Sequence, residues 1–296
     1  MAEKNKRRRR LGDRKSGRKL RTIDPLSKFM PYIMPKRNDA LNYYTDTFDV
    51  TNAEKICREE IKKGNTNFTL LHVILAAYVR TISQRPAVNR FISGHKIYAR
   101  NCIEVMMTIK KKMSLDGEET CIKVYFDPED TIEDVYRKFN AVVEENRIEE
   151  EEKSSFEKVN KILSSIPRLL CRMTIGFLRV LDYFGILPKF LLKVSPFHAS
   201  LAITSMGSLG IRPVYHHIYN FGNIPLFIAY GAKQRENVIN DEGNVEKRRF
   251  IEVKFVMDER ICDGYYFASA LKMLKRNFEN PEALYQPPET VVEDIE

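Results

Sequence analysis

The most informative segment of this chain is Phe255-Val256-Met257-Asp258-Glu259-Arg260-Ile261-Cys262-Asp263-Gly264. Its apolar beginning predicts a buried strand, and its charged middle predicts a sharp turn. The Asp-Gly pair at its end leads into a run with helical patterning, residues 265–278. The stretch therefore predicts a strand–turn–helix unit whose turn is rich in ionisable side chains.

Length and composition are those of a globular protein, with 296 residues, 43% of them hydrophobic and 30% charged. The formal net charge of +9 arises in residues 1–21, which hold eleven Lys or Arg and two acids. The net charge of the remaining residues is therefore zero. Since the fold itself carries no excess of positive charge, no basic groove is predicted, and nucleic acid is not the expected partner. Residues 1–21 are predicted to be a disordered tail, with contact to anionic lipid, RNA or an acidic partner as the alternative.

The five cysteines are scattered and show no C-x-x-C spacing. They predict neither a disulfide framework nor a zinc site, and we expect a reducing cytoplasm. No apolar run follows the basic tail, and no stretch of 18 uncharged apolar residues exists, so neither a secretory signal nor a spanning helix is expected. The expected location is cytoplasmic, peripheral to the inner face of the membrane if the tail binds lipid. The acidic run at 149–152 is typical of a solvated helix face, and no metal site is expected.

Alternating and helical patterns predict an α+β fold, with a sheet covered by helices on one side. The predicted strands are residues 43–50, 102–110, 120–126, 200–204, 226–230 and 249–257, with a hairpin at 91–98 and a hairpin turn at 240–244. The predicted helices are residues 51–63, 68–84 and a third that begins at 130–131. Residues 24–35 are predicted to form an ordered arm, and residues 286–296 a flexible acidic C-terminus.

Residues 155–195 are rich in Leu, Ile and Phe, with basic residues spaced through them. Pro167 and the Gly-Ile-Leu-Pro run at 185–188 predict a break into short helices. One interpretation is a helical insertion that packs on the main domain or forms an oligomer contact. The alternative is that residues 166–194 form a basic amphipathic helix on a membrane surface. Asp182 and Arg179 argue against insertion through a bilayer.

Three blocks resemble the chloramphenicol acetyltransferase superfamily, which includes the catalytic domains of dihydrolipoamide acyltransferases from 2-oxoacid dehydrogenase complexes. Asp263-Gly264 is similar to the end of the His-x-x-x-Asp-Gly active-site motif, whose His position is Glu259 here. Residues 201–210 resemble the strand written as Phe-Thr-Ile-Ser-Asn-Leu-Gly. Residues 43–92 resemble the family's strand, helix and longer helix, and their ending at 85–91 is similar to its helix-to-strand junction. The resemblance covers the predicted domain at residues 22–285, apart from the insertion.

The resemblance implies a two-layer sandwich of the chloramphenicol acetyltransferase type, in which helices cover a mixed β-sheet. It also implies a homotrimer with active sites between subunits, where a coenzyme A thioester enters a channel from one end and the acyl acceptor from the other. In the family a His deprotonates the incoming thiol or hydroxyl, and a Ser or Thr hydroxyl binds the oxyanion. By position the oxyanion hydroxyl would be Thr204, with Ser205 adjacent. Asp263 with Gly264 would be structural, and Glu259 would stand at the base position.

A glutamate at the base position changes the proton transfer. Moving a proton from a thiol to an ordinary carboxylate is uphill by about 4 pKa units, against about 2 for imidazole, a difference of roughly 3 kcal/mol. His216 and His217 lie in the segment that borders the channel in the family, so either of them is an alternative base. The alternative is that His216 and His217 are loop residues that make only structural hydrogen bonds. Of the other histidines, His72 is predicted to lie in the core, His95 in a solvated turn and His198 in a loop.

Two functions remain open from the sequence. The first is a coenzyme A-dependent acyltransferase with an altered catalytic base, which the three blocks favour. The second is a catalytically inactive trimeric scaffold that binds a membrane or a partner, which the missing His, the basic tail and residues 166–194 favour. The sequence shows no lipoyl domain before the catalytic-like region, so we do not expect the chain to swing a lipoyl arm of its own.

Overall fold

The computed structural model describes residues 9–110, 119–148, 165–240 and 242–296, with the backbone alone at residues 110, 119, 147 and 148. These residues form a seven-stranded mixed sheet and a three-stranded antiparallel sheet. The strands are β1 (Gly17–Lys19), β2 (Leu41–Asp49), β3 (Arg90–Ser93), β4 (Lys96–Arg100), β5 (Ile103–Lys110), β6 (Glu119–Phe126), β7 (Leu201–Ser205), β8 (Leu226–Tyr230), β9 (Gln234–Ile239) and β10 (Val245–Asp258). The helices are α1 (Pro25–Ile33), α2 (Thr51–Lys62), α3 (Leu70–Gln84), α4 (Ile132–Ile148), α5 (Arg168–Phe184), α6 (Lys189–Val194) and α7 (Gly264–Glu279).

The large sheet has the order β2-β10-β8-β7-β5-β6, and β9 pairs with the first half of β10. Strand β7 runs parallel to both β5 and β8, and the other pairs are antiparallel. β10, the strand of the opening stretch, therefore contacts three partners. The predicted α+β class and the mixed sheet are confirmed.

The main core lies between the large sheet and its helices. Because side chains alternate between the two faces along β10, Val253, Phe255 and Met257 point into this core, and Val256 points to the opposite face. Helix α3 is buried around almost its whole circumference and contacts α4 and α7. A smaller core on the other face joins Val256 to residues of the 211–224 segment. We call this second side the outer face of the sheet.

His72 lies in the first turn of α3 and is buried, as the sequence predicted. Its Nδ1 accepts the Thr69 backbone N–H at 3.0 Å, while the Thr69 side chain caps the helix in return. Burial lowers the pKa of His72 to about 4. The imidazole is therefore a neutral part of the helix cap.

Both ends of the chain differ from the prediction. The tail was expected to be disordered through residue 21, yet Gly17–Lys19 forms β1 against β4, and Leu20 is buried. At the other end, the expected flexible segment is tied down by Asp294, whose carboxylate binds Arg90 at 2.6 and 2.8 Å. A guanidinium that is almost completely buried requires such an anion. Residues 1–8 lie outside the described part of the chain.

Residues 24–35 and 155–195 are helical where the structure describes them. The predicted arm contains α1, which begins at Pro25 after the Asp24 side-chain cap. The insertion contains α5 and α6, separated by the left-handed Gly185 and by Pro188, while residues 149–164 lie outside the described ranges. None of the helices in the described ranges is both long and apolar enough to cross a membrane.

Candidate active site

The turn between β10 and α7 is held by a buried ion cluster. Arg260 donates to both carboxylate oxygens of Asp258 at 2.7 Å, and Arg37 donates to the same carboxylate at 3.3 Å. Arg37 also donates to the backbone carbonyls of Tyr219 and Gly222. Because all three charged side chains are almost inaccessible to solvent, removing one partner leaves a buried unpaired charge. The cluster fixes the turn to the chain on either side of it.

Asp263 caps α7 at the end of the same turn. Its Oδ1 accepts the Tyr266 backbone N–H at 2.8 Å, which places a carboxylate at a helix N-terminus. Gly264 is the first residue of the helix. The ion pairs of the turn belong to Asp258, whereas the resemblance assigned the structural carboxylate to Asp263. The acid–x–Arg spacing of Asp258 and Arg260 was the available signal.

Glu259 is half-buried between these two groups of contacts. Its Oε2 accepts the Asn42 side-chain amide at 2.7 Å, and its backbone N–H donates to Ala40 at 3.0 Å. Asn42 pairs with Met257, which points into the main core, so Glu259 lies on the helix side of the sheet. Within the described residues no cation is within ion-pair distance of this carboxylate. Glu259 is exposed enough to contact a ligand, and its carboxylate already accepts one hydrogen bond, from Asn42.

Thr204 and Ser205 end β7 and point to opposite faces. Thr204 shares the outer face with Ala202, whereas Ser205 lines a groove of about 410 Å³ on the helix side. Ser205 pairs with Tyr230 on β8, and burial raises the pKa of Tyr230 to about 12. The hydroxyls of Thr204 and Ser205 therefore lie on opposite faces of the sheet.

The register of the sheet separates Glu259 from Thr204. Thr204 pairs with Ala229, and Ala229 pairs with Lys254 on β10. Glu259 follows Lys254 by five residues, so at roughly 3.3 Å per residue it lies about 17 Å further along the strand direction. The two side chains also lie on opposite sides of the sheet. One copy of the chain does not bring them together.

His216 lies closer to Thr204 than Glu259 does. Its ring stacks on Phe227 with centroids 4.5 Å apart, and Phe227 pairs with Ala202 on the outer face. The His216 Nδ1 lies 3.1 Å from the Val214 carbonyl oxygen, and burial lowers the pKa of His216. His217 packs edge-on against Tyr219. His216 therefore shares a face with Thr204, and His217 packs within its own segment.

His198 is buried rather than a simple loop residue. Its two ring nitrogens lie 2.8 Å from Ser195 Oγ and 3.1 Å from Asp182 Oδ1. Burial lowers the pKa of His198, although Asp182 opposes this shift. Because Asp182 belongs to α5, the contact attaches the insertion to the segment that leads into β7.

The groove beside Ser205 has apolar walls and a charged rim. Phe68, Leu70 and Cys57 contribute to the walls. On the rim, the Glu54 carboxylate binds Lys233 at 2.7 Å. Burial raises the pKa of Cys57 to about 11, so its thiol stays protonated near neutral pH and is a poor nucleophile. In the described part of the chain, no group of three or more His, Cys, Asp or Glu side chains is arranged to hold a metal ion.

Comparison with known proteins agrees with the motifs. Residues 197–286 match the family model for the catalytic domain of 2-oxoacid dehydrogenase acyltransferases. That range holds β7 to α7, and therefore both Thr204 and Glu259. A search of curated protein sequences found no match.

Solved structures share the fold across most of the chain. A probable dihydrolipoamide acetyltransferase from Listeria monocytogenes 4b F2365 is 15% identical, with a TM-score of 0.53 over 94% of this chain and 99% of that chain. The cubic core of a pyruvate dehydrogenase multienzyme complex is 14% identical, with a TM-score of 0.53 over 88% of each chain. A chloramphenicol acetyltransferase is 11% identical, with a TM-score of 0.51 over 88% of this chain and 98% of that one.

The fold is that of the acyltransferases. Residues 197–286 are similar to the catalytic domain of 2-oxoacid dehydrogenase acyltransferases, and the described residues share the fold of a dihydrolipoamide acetyltransferase and of a chloramphenicol acetyltransferase. The resemblance predicted from the sequence is confirmed at this level.

Proposed function

We propose that the chain is an acyltransferase that moves an acyl group between coenzyme A and a thiol, hydroxyl or amine acceptor. One observation carries the proposal: the turn at the motif position is held by Asp258 and Arg260 and presents the half-buried carboxylate of Glu259. A turn fixed in this way holds the side chain at position 259 in one place. A general base needs this positioning before its pKa matters.

We propose that the active site is assembled between copies of a homotrimer. The separation of about 17 Å between Glu259 and Thr204 within one chain supports this arrangement. A site that uses both side chains must take them from two copies. Strand β2 lies at the edge of the large sheet and exposes Tyr43 and Tyr44, so this edge is available to a neighbouring subunit.

In the proposed reaction Glu259 accepts the proton of the acceptor as that acceptor attacks the thioester carbonyl. The hydroxyl of Thr204 from the other copy donates a hydrogen bond to the oxyanion of the tetrahedral intermediate. The carbon–sulfur bond then breaks, and the coenzyme A thiolate takes the proton back from Glu259. With a carboxylate of ordinary basicity the transfer from a thiol is about a hundredfold less favourable than with imidazole. We therefore expect slow turnover compared with a His-containing relative.

The test is thioester binding and turnover by the purified chain. Acetyl-coenzyme A binding is measured by calorimetry, and release of free coenzyme A is followed with a thiol reagent. Glu259→Gln should lower turnover at least about tenfold and leave binding intact, because the amide is no base. Glu289→Gln, an exposed change near the C-terminus, is the control and should match the parent. Absence of thioester binding would remove the proposal.

A second candidate function is a catalytically inactive trimeric scaffold that binds a membrane or a protein partner. It is favoured by the outward apolar side chains of α5, of which none is fully buried. A stable trimer that binds no thioester would support this candidate over the acyltransferase.

A further inference from the structure

Helix α5 has apolar side chains on two opposite faces. Ile175, Leu178 and Asp182 point toward the body of the protein and are half-buried. The opposite face carries a stripe of large side chains that are 51 to 70% exposed: Leu169, Leu170, Met173, Phe177, Val180 and Phe184. Positions 173, 177, 180 and 184 follow one line along a helix, so the stripe is continuous. Exposed apolar surface of this extent marks an interaction site.

The direction of the stripe is fixed by polar contacts at the end of α5. The Asp182 side chain lies 3.1 Å from His198, and its carbonyl accepts the Ser93 hydroxyl at 3.2 Å. Arg14 donates to the Tyr183 carbonyl at 2.8 Å. Gly94 lies so close that a Cβ there would be 2.6 Å from the same carbonyl oxygen. The apolar stripe therefore faces away from a helix that is firmly attached.

Helix α1 carries a second exposed stripe close by. Leu26, Phe29 and Ile33 are each more than 60% exposed and follow helical spacing. Tyr32 of the same helix stacks on His95 with ring centroids 5.1 Å apart. His95 in turn lies 3.1 Å from the hydroxyl of Tyr183 on α5. His95 thus contacts both α1 and α5, the two helices that expose apolar stripes.

Basic side chains accompany the stripes. Five exposed cations lie within residues 168–194: Arg168, Arg172, Arg179, Lys189 and Lys193. Asp182 is the one acid in that range, and it contacts His198. The basic N-terminal segment reaches the same place, because Lys15 donates to the Leu187 carbonyl at 2.6 Å. Apolar stripes bordered by cations complement an anionic lipid surface, since a protein partner supplies no such uniform negative charge.

We propose that α1 and α5 form a surface that rests on an anionic phospholipid membrane. The two stripes enter the boundary between head groups and acyl chains, and the flanking cations contact the lipid phosphates. Neither helix crosses the bilayer. This surface does not depend on the acyltransferase reaction, so its test and the test of the reaction are independent.

The chain contains no tryptophan, which provides a site-specific reporter. Phe177→Trp places a single indole in the α5 stripe, at a position that is 61% exposed, and Ile239→Trp places one on β9, at a position that is 76% exposed. With vesicles of phosphatidylcholine and phosphatidylglycerol, the emission of the Trp at 177 should shift to the blue. The Trp at 239 should keep its solvent-exposed emission. No shift at 177, or an equal shift at both positions, overturns the proposal.

Flotation with the same vesicles gives a second readout. Combining Met173→Gln with Val180→Gln, or introducing Arg172→Glu, should lower the bound fraction about tenfold. Ile239→Gln and Arg235→Glu are the matched controls on β9 and should float like the parent. Equal flotation with pure phosphatidylcholine, or retained flotation of the α5 variants, contradicts the proposal. A smaller oligomer mass of the α5 variants in the absence of lipid would assign the stripe to a contact between copies instead.

Discussion

Arg260 donates hydrogen bonds to both carboxylate oxygens of Asp258 at 2.7 Å, and these two residues flank Glu259 in the sequence. This pair, completed by Arg37, determines where the backbone of Glu259 lies. We expect Glu259 to occupy the His position of the superfamily motif, on a turn that these ion pairs hold in place. The function of the chain depends on whether that turn still presents a working base.

Asp258→Asn should destabilise the fold by about 3–5 kcal/mol, because two buried guanidinium groups lose their anion. Urea unfolding at neutral pH measures the loss. Asp263→Asn removes the charge of an exposed cap but keeps a capping residue type, so it should cost less than about 1 kcal/mol. Equal losses for the two variants would contradict the structural role assigned to Asp258.

Two inactive variants should complement each other if the site lies between copies. Glu259→Gln and Thr204→Val each disable their own contribution, yet a mixed trimer contains some sites with both native side chains. After equal amounts are unfolded and refolded together, about a quarter of parental turnover should return. The double variant in one chain should stay inactive. If the mixture stays inactive too, the site is confined to one copy, whereas a Thr204→Val variant that is active by itself would show that Thr204 has no role.

Ser205 offers a direct comparison with Thr204. Under the proposed mechanism Thr204→Val should lower turnover by about a hundredfold or more, because the oxyanion loses a donor. Ser205→Ala should have a much smaller effect, since its hydroxyl faces the groove on the opposite side of the sheet. A larger loss of turnover for Ser205→Ala than for Thr204→Val, measured by steady-state kinetics, would assign the oxyanion role to Ser205.

His72 makes stability depend on pH. Its pKa is about 4 in the folded chain and about 6.5 when unfolded, so the unfolded state binds more protons between these values. Its contribution is fully present above about pH 6.5 and declines as the pH falls toward 4, by about 3 kcal/mol in total. His72→Gln keeps an acceptor at the N3 position of the helix cap but cannot protonate. Urea unfolding at several pH values should show a shallower decline for this variant, and an unchanged decline would contradict the assignment.

Local sequence patterns predicted most of the elements in and around the site. The strand predicted at 249–257 is β10, and the helix predicted at 265–278 is α7, which begins one residue earlier and ends one residue later. These predictions succeed because alternation and an Asp cap act within a few residues. The first arm of the β9–β10 hairpin had no strong alternation and was not predicted as a strand.

Contacts between distant parts of the chain could not be predicted in the same way. Arg37 meets Asp258 across 221 positions, and His198 meets Asp182 on the insertion. Nothing in the local sequence around these side chains marks their partners. Residues 24–35 are rich in aromatic residues and prolines and were predicted to form an arm, yet residues 25–33 form a short helix that contains Pro31. The separation of Glu259 and Thr204 follows from strand register, which single-strand patterns do not specify.

The most direct test of the account is turnover of acetyl-coenzyme A by the parental chain and by Glu259→His, which restores the residue type of the superfamily motif. If Glu259 stands at the base position, the parent should release free coenzyme A slowly in the presence of a thiol acceptor. The His variant should then do so about a hundredfold faster, in line with the difference in basicity. A His variant no faster than the parent, in a chain that folds and binds the thioester, would contradict the assignment of position 259.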